Sequence, residues 1–228
     1  MMKDIAMIFC FTIFSTLNVC GQKSINTNNK MEMELIKAAK NNEIEKLQNL
    51  LKKGVDLEAT DTNKRTALMV ATYENNLEAS KLLIKFGASV NAQDDRLETP
   101  LLHAGALGYI KILKAILKTG RADHMVLNRY GGTALIPACE RGHTEVVKEL
   151  LKIEDYPIDH INNLTWTALM EAIVLGDGGE IHTHIVQLLV EADCDVNIPD
   201  KNGITPLQHA KKSDYKSIVT ILEKAGAY

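Results

Sequence analysis

The sequence predicts an all-α solenoid of about six stacked helix-turn-helix units with hairpin-like tips, and three observations carry that expectation. Threonines recur at Thr66, Thr99, Thr133, Thr167 and Thr205, with spacings of 33, 34, 34 and 38 residues, each opening a T-[AP]-L core. Ala71, Ala104, Ala138, Ala172 and Ala210 follow each threonine by five residues, where a small side chain lets adjacent short helices approach closely. Gly54, Gly87 and Gly120 stand just past apolar runs, in the position that ends a helix. A period of this size marks units that cannot bury their apolar faces alone and do so by stacking.

Ahead of the repeats, Lys3 gives a weak positive start, and Ile5 to Val19 is a 15-residue stretch without a charge. A membrane span needs about 20 apolar residues, so residues 1–21 match the core of a secretory signal better. Two endings compete. Val19 and Gly21 are small enough for cleavage before Gln22, whereas Leu17-Asn18-Val19-Cys20 resembles the bacterial lipobox, which would place a lipid anchor on Cys20. Either implies export, to the periplasm or the cell surface. Residues 22–30, polar and aperiodic, are expected to form a flexible tether.

The repeat domain follows over 31–228, in units of approximately 31–60, 61–93, 94–127, 128–161, 162–199 and 200–228. Unit one lacks a leading hairpin and carries Glu32, Glu34, Lys37 and Lys40, as an end cap facing water should. Units two to six each give a short first helix after the threonine and a longer apolar second helix. These second runs are Leu82 to Ile84, Ile110 to Leu117, Val146 to Leu151, Ile185 to Val190 and Ile218 to Leu222. Pro100 and Pro206 fall in the first turn, where a missing N–H has no intrahelical acceptor to lose. Gly131–Leu151 reads as the most regular unit. Unit five is the longest, because GDGG at 176–179 adds residues that a regular connection does not need; such insertions loop out of solenoids and supply binding features.

Hydrophobic residues make up 46% of the chain and charged residues 24%, with a formal net charge of −3 and a pI near 6.2. That composition describes an ordered chain with no overall basic field for nucleic acid or acidic lipid. Outside the export segment only Cys139 and Cys194 remain, at non-equivalent positions, and they are expected to be unpaired and mostly buried. No nucleophile turn, phosphate loop or H-E-x-x-H pair is present, so no catalytic residue and no cofactor is assigned. Asp177, Glu180, His182 and His184 cluster in sequence. An i,i+2 histidine pair diverges on a helix, so no metal ligand is assigned and a solvated loop entering a helix is expected.

The T-[AP]-L-x-x-A core, the Gly142-His143 turn, Val146-Val147 followed by Leu150-Leu151, and the closing Gly87-Ala88-Ser89-Val90-Asn91 together resemble the ankyrin repeat. The match spans about residues 31–228, and the extended loop is similar to that of a bacterial exported ankyrin-repeat subfamily. A tetratricopeptide array shares the period but lacks the threonine-led hairpin. The resemblance implies a protein-binding scaffold that meets another protein through its tips and the concave face of its first helices. On those positions the partner-binding candidates are Tyr73, Arg96, Tyr130, Arg141, Leu164 and Trp166, since aromatic and arginine side chains dominate contact energy at interfaces. Trp166 equally fits a role covering its own hairpin. It also implies that His143 hydrogen-bonds neighbouring backbone from its turn. Two further roles stay open: an accessory protein supporting a periplasmic stress-defence enzyme, and a metal-dependent or enzymatic role for the unit-five loop.

Overall fold

In the computed structural model the described residues are 29–228. The expected signal at 1–21, the lipid reading of Cys20 and residues 22–28 of the tether lie outside the described residues. Residues 29 and 30, assigned to the tether from sequence, belong to the first helix.

Twelve helices follow among the described residues, paired into six hairpins: α1 (29–40) with α2 (Ile44–Lys52), α3 (Ala67–Tyr73) with α4 (Leu77–Lys85), α5 (Pro100–Ala106) with α6 (Ile110–Leu117), α7 (Leu135–Glu140) with α8 (Thr144–Leu150), α9 (Ala168–Val174) with α10 (Glu180–Glu191), and α11 (Pro206–Lys212) with α12 (Lys216–Lys224). The first helices α3, α5, α7, α9 and α11 pack in one row and the second helices α2 to α12 in another. One apolar core runs between the rows from Leu35 to Leu222. The five repeating alanines are all fully buried in it. Gly105 extends the same close approach, for an added Cβ would lie 3.1 Å from both Cβ and O of Ala134.

The recurring threonines start the helices. Oγ1 of Thr66, Thr99, Thr167 and Thr205 accepts the N–H three residues on, a cap worth about 1 kcal/mol. Thr133 breaks the pattern. In the other units the fourth residue's N–H donates to the threonine carbonyl, as His103 does to Thr99; here that residue is Pro137, which has no N–H. Helix α7 starts late, at Leu135, and Thr133 Oγ1 is buried without a partner. The unit that looks most regular in sequence is therefore irregular at its helix start.

Each tip is a turn closed by two backbone bonds: the N–H of Asp61, Asp94, Asn128, Asn162 and Asp200 donates to the carbonyl four residues on, and the carbonyl of the same residue accepts from the N–H three residues on. Among the described residues one β-bridge, Thr60 with Thr66, is formed. A side chain organises every tip: Oδ1 of Asp61, Asp94, Asn128, Asn162 and Asp200 accepts the N–H groups two and four residues on, at 2.8–3.1 Å. The fourth tip residue takes positive φ: Lys64, Leu97, Gly131, Thr165 and Gly203. Thr165, β-branched at φ 64°, carries a backbone penalty of roughly 1–2 kcal/mol. Thr165→Gly is expected to raise stability by about 1 kcal/mol, read as a shift in the urea midpoint. A lower midpoint would mean that the Thr165 hydroxyl bond to Leu164 O (2.6 Å) outweighs the strain.

The GDGG segment does not loop out. Part of the insertion lengthens α10 to 12 residues. The rest is clamped between neighbours: Tyr215 Oη donates to Gly176 O at 3.0 Å, and its ring lies against Gly178. From the other side His182 Nε2 donates to Glu140 O at 3.0 Å, while Nδ1 faces Asp177 Oδ1 at 2.8 Å. Similar ties join other units. Asn76 Nδ2 donates to Lys40 O (2.7 Å) and His143 Nε2 to Ala106 O (3.2 Å). His182 thus does in unit five what His143 does in unit four, displaced along the sequence by the insertion.

Candidate functional site

The tips and first helices of units three to five enclose two adjoining clefts, of about 210 and 270 Å³. Tyr130, Pro137, Glu140 and Arg141 belong to both, forming the wall between them. The first cleft adds Arg96, Glu98, His103, Leu107 and Arg129; the second adds Ile136, Leu164, Glu171 and Leu175. Four large apolar side chains along this surface reach solvent: Tyr130 at 55%, Leu164 at 51%, Leu175 at 49% and Leu107 at 38% exposure. Scattered single residues of this kind are ordinary, but here they line contiguous recesses, the arrangement of a binding surface.

Charge frames the apolar row. Arg129 lies over the Tyr130 ring, 4.7 Å from its centroid, and its Nη2 donates to Tyr130 Oη at 2.7 Å. Arg141 Nη1 donates to Ala106 O at 2.9 Å, which pins its guanidinium at the cleft edge. Burial raises the Glu98 carboxyl above its usual range, helped by Asp94 and opposed by Arg96, Arg129 and Arg141. Glu171 is buried and accepts from Asn162 Nδ2 at 2.8 Å; burial raises it too, against that hydrogen bond. The second cleft thus holds a buried carboxyl group, hydrogen-bonded to Asn162, in a lining that also contains Ile136, Pro137 and Leu164.

Of the six residues expected from sequence, Arg96, Tyr130, Arg141 and Leu164 come together here. Tyr73 and Trp166 do not line either cleft. Tyr73 donates its hydroxyl to Asp94 Oδ2 at 2.6 Å, stacks on His103 with ring centroids 3.8 Å apart, and lies 5.3 Å beneath the Arg65 guanidinium. Arg65 in turn forms a 2.7 Å ion pair with Asp61. That column ties unit two to unit three. Trp166 is half-buried, and its backbone closes the tip with Asn162. Pro137 and Glu171, not singled out from sequence, both stand four residues after a repeat threonine, as does His103, so this register position feeds the clefts.

Two further polar side chains join units to one another. His160 Nε2 donates to Gly131 O at 2.7 Å, and Asp159 Oδ1 accepts from Asp195 N–H. Among the described residues no three His, Cys, Asp or Glu side chains form a metal-binding group, and no helix is long and apolar enough to cross a membrane. Cys139 and Cys194 are free and buried; burial pushes the Cys194 thiol up to about 12 and the Cys139 thiol well up, so both remain protonated at neutral pH.

The family model described as ankyrin repeats (three copies) matches residues 35–128 and 108–200. An ankyrin repeat protein of Escherichia coli (strain K12), YahD, is 36% identical over 83% of this chain and 94% of its own length. The crystal structure of an ankyrin repeat domain from Acinetobacter baumannii AYE superposes with a TM-score of 0.84 at 48% identity, over 86% of this chain and all of that one. The ankyrin repeat domain of Bcl-3, a member of the IkappaB family, shares the fold at 24% identity and a TM-score of 0.77, over 85% of this chain and 86% of its own.

Proposed function

The chain belongs to the ankyrin-repeat family, whose repeats are protein–protein interaction modules, and from that premise we propose that it is a non-enzymatic scaffold exported to the bacterial envelope. In this reading it grips an extended segment of a partner protein along the concave face of units three to five. The carrying observation is the exposed row of Leu107, Tyr130, Leu164 and Leu175 over two joined clefts. Apolar side chains of the partner would fill the recesses, and the arginines and glutamates at the rim would fix its register. Export rests on the charge-free stretch Ile5–Val19, and a lipid-anchored form on Leu17–Cys20. The intact mass of the mature protein distinguishes lipid on Cys20 from a Gln22 start.

The test is affinity capture from the native envelope fraction with the whole mature chain. Tyr130→Ala and Leu164→Ala each remove an exposed side chain, so the fold should survive. Each is expected to weaken the captured partner by about 2 kcal/mol, roughly 30-fold. Retention of every partner at unchanged affinity by the double variant would place the contact elsewhere.

A further inference from the structure

On the outer row of the stack, α4 and α6 leave a groove of about 640 Å³ between them. Lys81 and Lys85 line one side and Lys111, Lys114 and Lys118 the other, above half-buried Ile84 and Ala115. Two of these charges are compensated: Lys81 pairs with Glu78 at 2.9 Å and Lys114 with Glu149 at 3.3 Å. Among the described residues Lys85, Lys111 and Lys118 form no ion pair. On α8, the next helix of this row, Lys148 is matched by Glu145, and Lys152 just past its end by Glu149. Helix α6, IKILKAIL, contains no acidic residue. A chain of net charge −3 therefore carries a concentrated basic recess.

We propose that this groove is a second docking surface, independent of the concave face, and that its occupant is an acidic polypeptide segment with an apolar side chain between its carboxylates. Packed helices lie about 8–10 Å apart, so the two lysine rows face a segment from both sides. A strand or helix edge with carboxylates on two sides and one apolar residue below meets both rows and the Ile84–Ala115 floor. A membrane surface would meet the lysine tips but leave the apolar floor empty, so the recess favours a polypeptide.

The test uses the whole mature chain and a fluorescent peptide of sequence EELEELEE in low-salt titrations. Binding is expected to fall by roughly 10-fold in Lys111→Gln/Lys118→Gln, and to weaken steeply as salt rises. The control Lys148→Gln/Lys216→Gln, on α8 and α12, should bind as the unmodified chain does. A peptide with serine at both leucines should also bind roughly 10-fold more weakly, since the floor is then unused. Equal binding by both lysine variants, or by both peptides, would overturn the assignment. So would lysine-dependent binding to phosphatidylglycerol vesicles with no binding of the peptide, which would make the groove a membrane-facing surface.

Discussion

Gly178→Ala is expected to loosen the last unit while leaving units two to four intact. Gly178 has φ +66°, and an added Cβ would stand 2.2 Å from Cδ1 and 2.4 Å from Cε1 of Tyr215. The tyrosine cannot swing aside cheaply, because its hydroxyl is bound to Gly176 O. The left-handed backbone costs about 1–2 kcal/mol for alanine, and forcing the ring out of place adds about 1–3 kcal/mol. The expected total is roughly 3 kcal/mol. In a stack where each unit touches only its neighbours, this loss falls on the α10–α12 contact rather than on the whole chain. Hydrogen exchange should speed up across α11 and α12 and stay unchanged in α3 to α6. A Tyr215→Ala background isolates the clash: there Gly178→Ala should cost only the backbone share, about 1–2 kcal/mol. Equal cost in both backgrounds would show that the ring does not hold the glycine turn.

The helices were readable because their signals act within a unit or across one interface. The threonine caps, the buried alanines and the glycine stops each depend on a few neighbouring residues, so a single period exposes them. The tip acceptor was equally periodic, five residues before every threonine, at Asp61, Asp94, Asn128, Asn162 and Asp200. It is less conspicuous because aspartate and asparagine alternate, although both present the same oxygen to two N–H groups. The insertion hid another regularity: His182 lies fifteen residues after Thr167 and His143 ten after Thr133, yet both reach back to the preceding unit's carbonyl. Side-chain direction was harder. Tyr73 and Trp166 are aromatic residues on the expected surface, but one is committed to Asp94 and the other lies outside the clefts. Conversely, Glu171 lines a cleft although it is buried, which no residue-type argument about exposed hot spots would select. Pro137 changed the start of α7 by lacking one N–H, a loss invisible in a pattern that matched at threonine, leucine and alanine.

Lowering the pH from about 6.5 to about 4 is expected to destabilise the protein through His103. Burial pushes this imidazole down to about 4, with Arg96 and Arg141 adding to the shift and Asp94 opposing it. In the unfolded chain the same group titrates near 6.5. Between those values the unfolded state binds a proton that the folded state refuses, so stability present above pH 6.5 is lost as pH falls toward 4. The unscreened shift corresponds to about 3 kcal/mol; the ring is not fully enclosed, and solvent screening reduces this to about 1–2 kcal/mol. His124 and His143 are lowered chiefly by burial and act in the same direction. Glu98, Asp159 and Glu171 are raised, so they take up protons more readily when folded and offset part of the loss at the acid end. His103→Phe separates these contributions. A phenyl ring can keep the stack on Tyr73 while removing the proton site and the buried Nε2 that has no partner. At pH 8 the variant should therefore be at least as stable as the parent, and on acidification to pH 4 it should lose about 1–2 kcal/mol less. Urea midpoints at both pH values measure the difference, and the His103 ring resonances should titrate near pH 4. Parallel stability curves, or a His103 midpoint near 6.5, would show that the stacked ring accepts its proton without cost and that the acid sensitivity arises elsewhere.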